Sequence, residues 1–168
     1  MSIRIRKEAS TDVAAIEAVT IAAFQNAAHT SHTEQFIVAA LRKAGQLSVS
    51  LVADDSGAVI GHVAVSPVTI SDGTTGWLGL GPISVAPAYQ RKGVGAQLME
   101  HAIAELRALG ASGCVVLGEP AYYSRFGFKA EPSLVLPEVP PEYFQAVLFG
   151  GSLPSGTVSY HESFAAQG

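Results

Sequence analysis

Apolar and polar residues alternate with period two over residues 2–7, "SIRIRK", which predicts a strand. The period then changes. Val13, Ile16, Val19, Thr20, Ala23 and Phe24 recur at helical spacing behind Ser10 and Thr11, with Asp12 suited to the first turn. After a polar patch, "QNAAHTSHTE", a second helix is predicted over 33–44, closed by Gly45. "SVSLVADD" and "AVIGHVAVSPV" read as two strands joined by the turn "DDSG", an antiparallel hairpin. "TISDGTTG" extends the second strand and then turns. "WLGLGPISV" is a further strand, broken by Gly79, Gly81 and Pro82. Interior Gly and Pro argue for a bulge, or for something that approaches the backbone closely.

A long helix is predicted over 94–109. Val94, Leu98, Ala102 and Leu106 line one face, Ile103 and Leu109 lie beside them, and Gly110 caps the end. "GCVVLG" is wholly apolar, the pattern of a central buried strand. "PAYYSRFGF" reads as a short helix ending at Gly127. From 132 to 168 the chain is rich in Pro and Gly, with "PPEYFQAVLF" as a short helix and "GTVSYHESF" as a last strand. The order of elements predicts an α/β fold, a mixed sheet with helices packed on it.

Composition narrows the class. The 168 residues suit one domain with one core, and 48% hydrophobic against 14% charged residues excludes a disordered chain. The net charge is −4 and the ten Lys and Arg are scattered, so no basic stripe invites a nucleic acid. Arg91, Lys92, Arg107 and Arg125 still leave room for a local anion site. The single cysteine, Cys114, allows no internal disulfide, which fits a reducing compartment. No apolar run approaches a membrane span and the N-terminus lacks a signal-peptide run. These features predict a soluble, cytoplasmic protein without a membrane partner.

The densest signal is "YQRKGVGAQL", residues 89–98. The first turn of a helix carries N–H groups without intrahelical partners and a partial positive charge. Glycine there keeps side chains out of the way of an anion and permits the φ > 0 conformation that curls N–H groups into a nest. Gly93 and Gly95 therefore suit the floor of a pyrophosphate site, with Arg91 and Lys92 at its rim. A P-loop is excluded, because Lys92-Gly93 is followed by Val94 and not by Ser or Thr. The dinucleotide fingerprint is excluded because Leu98 stands where its third glycine belongs. Taken alone, the glycines would equally suit an ordinary strand-to-helix turn.

The longer segment "LGPISVAPAYQRKGVGAQLM" resembles the acyl-CoA-binding segment of the GNAT acetyltransferase superfamily. Gln90-Arg91-Lys92-Gly93-Val94-Gly95-Ala96 matches Gln/Arg-x-x-Gly-x-Gly/Ala at each defined position. "YYSRFGF" resembles a second signature, in which a Tyr stands four residues before Gly-Phe, here Tyr123 before Gly127-Phe128. The resemblance covers about residues 3–128 and treats 132–168 as a C-terminal extension of a single domain, 1–168. The tail looks like that of a bacterial subgroup of acetyltransferases.

The resemblance implies a mostly antiparallel central sheet flanked by helices, of the acyl-CoA N-acyltransferase type. It implies acetyl-CoA as co-substrate, with its pantetheine arm along Ile83, Ser84 and Val85 and its pyrophosphate on the N–H groups from Arg91 to Ala96. An amine would attack the thioester directly, and the acceptor would be a small molecule. Tyr123 is the implied acid for the leaving thiolate, although Tyr122 next to it competes for that place. For the base, Glu119 at the end of the buried strand could face the acetyl group. His62, Glu34, His29, His32 and an ordered water are the other candidates. His29-x-x-His32 lacks a third ligand, so no metal is implied. Cys114 reads as inert core. Where many relatives carry an Asn after the buried strand, "LGEPAYY" has a Glu-Pro pair. A non-catalytic acyl-CoA sensor is the competing reading. The segment 137–149 could cover the acceptor groove or form a homodimer contact.

Overall fold

The computed structural model describes residues 2–27 and 30–168. The chain runs through β1 (Ile3–Lys7), α1 (Val13–Phe24), α2 (Glu34–Lys43), β2 (Val49–Asp55), β3 (Ala58–Pro67), β4 (Thr69–Ile70) and β5 (Trp77–Val85). It continues through α3 (Val94–Ala108), β6 (Gly113–Leu117), α4 (Pro120–Tyr123), β7 (Lys129–Ala130), β8 (Leu134–Val135), β9 (Phe144–Leu148) and β10 (Gly156–Ser159). The main sheet has the order β1-β2-β3-β5-β6-β9-β7, and its one parallel pair is β5 with β6. A second sheet has the order β4-β10-β8.

Alternation along the strands gives the main sheet two apolar faces. On one, Leu51, Ala53, Val63, Val65, Leu80, Cys114 and Val116 meet Val94, Leu98, Met99, Ala102 and Leu106 of α3. Leu98, Met99 and Leu106 have no exposed surface, and each such burial contributes about 1.5–3 kcal/mol. On the other face Val52 packs against Ile16 of α1 and Val38 of α2. Further along that face Trp77 and Val115 meet Val68, Ile70, Phe144 and Val158. Helices therefore cover both sides, and β3, read as half of a hairpin, is buried along nearly its whole length.

Two local expectations change. "PPEYFQAVLF" forms a 3-10 turn at Pro141–Tyr143, and then a strand, β9, in place of a helix. Prolines at the start of the turn tolerate a helical first turn but do not propagate it. The exposed edge of β6 offers a full antiparallel ladder, from Gly113↔Leu148 to Leu117↔Phe144, and tertiary pairing wins over local preference. The extension expected for β3 leaves the main sheet at Pro67, and Thr69–Ile70 pairs instead with β10 through Val158↔Ile70. Val68 N–H still donates to Trp77 O at 3.1 Å, so the chain turns to β10 just after that bond. The segment 132–168 thus supplies one strand to the main sheet and two to the small one.

Candidate active site

β5 and β6 run together only briefly. Their pairs are Trp77↔Gly113, Leu78↔Cys114 and Gly79↔Val115, yet β5 continues to Val85 and β6 to Leu117. The cause lies on the other edge of β5. Against β3, Val63 pairs with Ile83 and Val65 with Leu80, so Gly81 and Pro82 both stand opposite Ala64. This is the bulge that the interior Gly and Pro signalled; it bends β5 away from β6 and opens a gap between them. Ile83, Ser84 and Val85 form one lip of the gap. Gly118, just beyond β6, lies on the other.

The glycine loop follows the first lip. Arg91 (φ 64°) and Gly93 (φ 83°) are both left-handed, and Gly93 is the N-cap of α3. A side-chain cap is absent there. The helix ladder starts with Gln97 N–H to Gly93 O at 3.1 Å, so the N–H groups of Val94, Gly95 and Ala96 precede it without intrahelical partners. Gly93, Gly95 and Ala96 border a cavity of about 370 Å³, whose lining also includes Val85, Gln90, Arg91, Tyr122 and Arg125. Two side chains clip the loop in place: Gln90 Nε2 donates to Val85 O at 3.0 Å, and Tyr89 Oη donates to Asp55 Oδ2 at 2.6 Å. Among the described residues Arg91, Lys92 and Arg125 pair with no carboxylate. The cavity therefore presents N–H groups and cations to one side, a setting for an anion.

Three tyrosines surround the gap, and each sits where a glycine leaves room. The Tyr122 hydroxyl lies 3.0 Å from where a Cβ of Gly95 would stand, and the Tyr123 ring 2.5 Å from that of Gly118. The ring of Tyr160 occupies the space beside Gly79. Tyr122 faces the loop cavity, with the Arg125 guanidinium 5.0 Å from its ring centre. Tyr123 turns inward, edge-on to Phe128 at 6.2 Å. Burial pushes the Tyr123 phenol up to about 12. Tyr160 was missed in the sequence; its only trace there is the interior glycine at 79.

The base candidates separate by exposure. Glu119 is exposed at the N-cap of α4, and its backbone oxygen accepts from the N–H groups of Tyr122 and Tyr123. Glu34 Oε2 accepts from Thr30 Oγ1 at 2.6 Å, while its Oε1 is buried without a partner. His32 is exposed, and His29 lies outside the described residues. Cys114 is buried, and burial pushes its thiol up to about 12, consistent with inert core.

His62 is shut off from solvent. Arg42 holds the Glu8 carboxylate at 2.8 Å, and the Ser50 hydroxyl donates its one hydrogen to Glu8. His62 Nε2 lies 2.8 Å from Ser50 Oγ and must therefore donate to it, which leaves Nδ1 as an acceptor without a partner. Burial first, and the Arg42 charge beyond, push the His62 pKa from 6.5 down to about 4; Glu8 opposes this. Ser84, opposite His62 in register, also has a buried hydroxyl without a partner. The Ser84 side chain thus lies on the α1 and α2 face, and only its backbone borders the gap.

A neutral His62 gives a pH-dependent stability of definite sign. Above pH 6.5 both folded and unfolded states leave the ring neutral. As the pH falls from 6.5 to about 4, the unfolded chain takes up a proton that the folded protein refuses, and stability falls by about 3 kcal/mol. The loss from Asp12, held at about 2 by its hydrogen bonds to Arg6, starts only below its ordinary 3.8. Denaturant melts at pH 7, 6, 5 and 4.5 are expected to show this decline, and His62→Gln to flatten it. An equal slope in both proteins would assign the decline to other groups.

Residues 46–130 match the family described as Acetyltransferase (GNAT) domain. That stretch holds both parted strands, the glycine loop and Tyr122–Tyr123. The chain belongs to the GNAT superfamily. As a GNAT protein it is an acetyl-CoA-dependent acyltransferase. It is 39% identical over 126 residues to the uncharacterized N-acetyltransferase YhbS of Escherichia coli K12, which covers 74% of this chain and 72% of that one. A GNAT family acetyltransferase from Brucella melitensis, solved in complex with acetyl-CoA, is 47% identical and superposes with a TM-score of 0.87 over 97% of this chain and 98% of that one. The structure of YhbS from Escherichia coli in complex with CoA is 34% identical, with a TM-score of 0.89 over 99% and 93%. The mixed, mostly antiparallel sheet with flanking helices is the GNAT architecture of these structures. Among the described residues no helix is long and apolar enough to cross a membrane.

Proposed function

We propose that this GNAT protein transfers the acetyl group of acetyl-CoA to a primary amine on a small molecule, by direct attack in a ternary complex. The observation that carries the reading is the cavity beside the glycine loop, lined by Gly93, Gly95 and Ala96 and by Val85 at the lip of the parted strands, with Tyr122 on its wall and Tyr123 next in the chain. The pyrophosphate would rest on the N–H groups of Arg91, Lys92, Gly93, Val94, Gly95 and Ala96, with Gln90 holding the loop to Val85. The pantetheine arm would follow Ile83, Ser84 and Val85. Holding both substrates in one gap makes the attack effectively intramolecular. A β5 N–H near Val85 would stabilise the oxyanion, an interaction worth about 3–4 kcal/mol per donor.

Tyr123 is the acid that protonates the departing thiolate. Tyr122 fits this part less well, because its hydroxyl is turned to the loop cavity. A phenol at about 12 would be a poor donor to a thiolate in water. Burial in the gap disfavours a bare thiolate as it disfavours the phenolate, so the desolvated leaving group draws the proton more strongly than it would in water. Glu119 takes the proton of the amine. It is the exposed carboxylate at the end of β6, whereas His62 is sealed away from an arriving substrate.

The test pairs binding with turnover. Acetyl-CoA at 100 times its Kd is expected to stabilise the fold by about 2.7 kcal/mol, seen as a raised Tm, while acetyl-pantetheine, which lacks the diphosphate, has far less effect at the same concentration. Thiol release is expected to depend on an added primary amine. An equal shift with both ligands would remove the diphosphate from the glycine loop.

A further inference from the structure

The tyrosine that the C-terminal segment contributes has no place in the chemistry so far. Tyr160 follows β10, and its ring lies against Gly79, the last residue of β5 that is paired to β6 before the strands part. Alanine at 79 would place a Cβ inside that ring and against Val68 Cγ1 at 3.0 Å, so the interior glycine exists to seat the tyrosine. Phe164 backs the ring at 4.9 Å. The Tyr160 hydroxyl makes no hydrogen bond among the described residues.

Strand alternation tells which side this is. Cys114 and Val116 face α3, together with Tyr122, Tyr123, Ile83 and Val85. Val115, Trp77 and Tyr160 face the other way. The 3-10 turn Glu162–Ala165, just beyond Tyr160, packs against α2 on that second side. Tyr123 and Tyr160 thus approach the gap from opposite faces. Burial first, then the charges of Cys114 and of Tyr123, push the Tyr160 phenol up, so the Tyr160 hydroxyl lies near Cys114 of β6 as well as near Tyr123.

We propose that Tyr160 contacts the acetyl thioester at the base of the gap, from the face by which the amine arrives, so that the C-terminal segment forms part of the active site. The geometry requires a second wall. The cofactor loop and α3 occupy one face, so an amine must reach the thioester from the other, where Tyr160 stands with a free hydroxyl. This inference rests on acetyl-CoA entering the gap, and the experiment separates the two.

The protein has five tyrosines, at 89, 122, 123, 143 and 160, spread over the loop, the gap and the tail. Tyrosine labelled with 13C at Cζ therefore reports on each region, with the five signals assigned by single Tyr→Phe variants. Tyr143 lies in the turn before β9 with its backbone oxygen accepting from Gly118 N–H, so its signal reports on the far lip of the gap. Addition of acetyl-CoA is expected to move the Tyr89, Tyr122, Tyr123 and Tyr160 signals. Replacing acetyl-CoA with CoA is expected to shift Tyr123 and Tyr160 again, because only the acetyl end changes. Movement of the loop and Tyr123 signals with Tyr160 unmoved would overturn this proposal and leave the cofactor reading standing. No movement at Tyr122, Tyr123 or Tyr160 would overturn both.

Discussion

Tyr123→Phe is expected to lower kcat by about 10²- to 10⁴-fold while acetyl-CoA affinity stays within about twofold. The substitution removes one oxygen and keeps the ring. Its seat against Gly118 and its edge contact with Phe128 depend on the ring alone, so the fold should persist. What goes is the proton for the departing thiolate, a need that arises only as the C–S bond breaks. An interaction made only in the transition state appears in kcat and not in binding. Steady-state kinetics beside calorimetric titration with acetyl-CoA separates the two. An undiminished kcat would take Tyr123 out of the mechanism, and Tyr122→Phe would then be the variant to measure.

Gly93→Val should have the second-largest effect, a loss of acetyl-CoA affinity of about ten- to a hundredfold, the equivalent of roughly 1.4–3 kcal/mol. The reason is backbone and not crowding within the apo protein. A Cβ at Gly93 would meet no atom within 4 Å, but φ is 83°, where a β-branched residue is strained. The loop would relax to negative φ and turn its N–H groups away from the cavity. Gly45, at the end of α2, is the control. It too has positive φ, 70°, with no atom within 4 Å of a Cβ, and it lies far from the loop in sequence and outside the cavity lining. Gly45→Val should cost stability and leave affinity intact. Equal acetyl-CoA binding by wild type and Gly93→Val would sink the assignment of the diphosphate to this loop.

Legibility in the sequence followed the range of the interactions. The start of α3 was readable because everything that defines it lies within one stretch from Arg91 to Leu106: the basic pair, the two glycines and the apolar stripe. The bulge in β5 was readable for the same reason, since Gly81-Pro82 is a local breach of strand chemistry. β9 was not. "FQAVL" is too short for periodicity to decide between helix and strand, and what decided was an edge of β6 some thirty residues away. Tyr160 was invisible as a site residue because its partner, Gly79, is on a distant strand. Among the base candidates Glu119 was put first for its place at the end of the buried strand, but only burial shows His62 sealed and Glu119 open.

The position of β9 bears on how the protein is made. β7 leaves the ribosome before β9, yet lies outside it in the sheet, so Lys129 and Ala130 have no partner until residues 144–148 emerge and insert between them and β6. Until then β6 is a bare, wholly apolar edge next to the completed hairpin strands, the kind of edge that recruits other chains. Chains that have emerged only as far as residue 130 carry that hazard, and holdase chaperones would find them there.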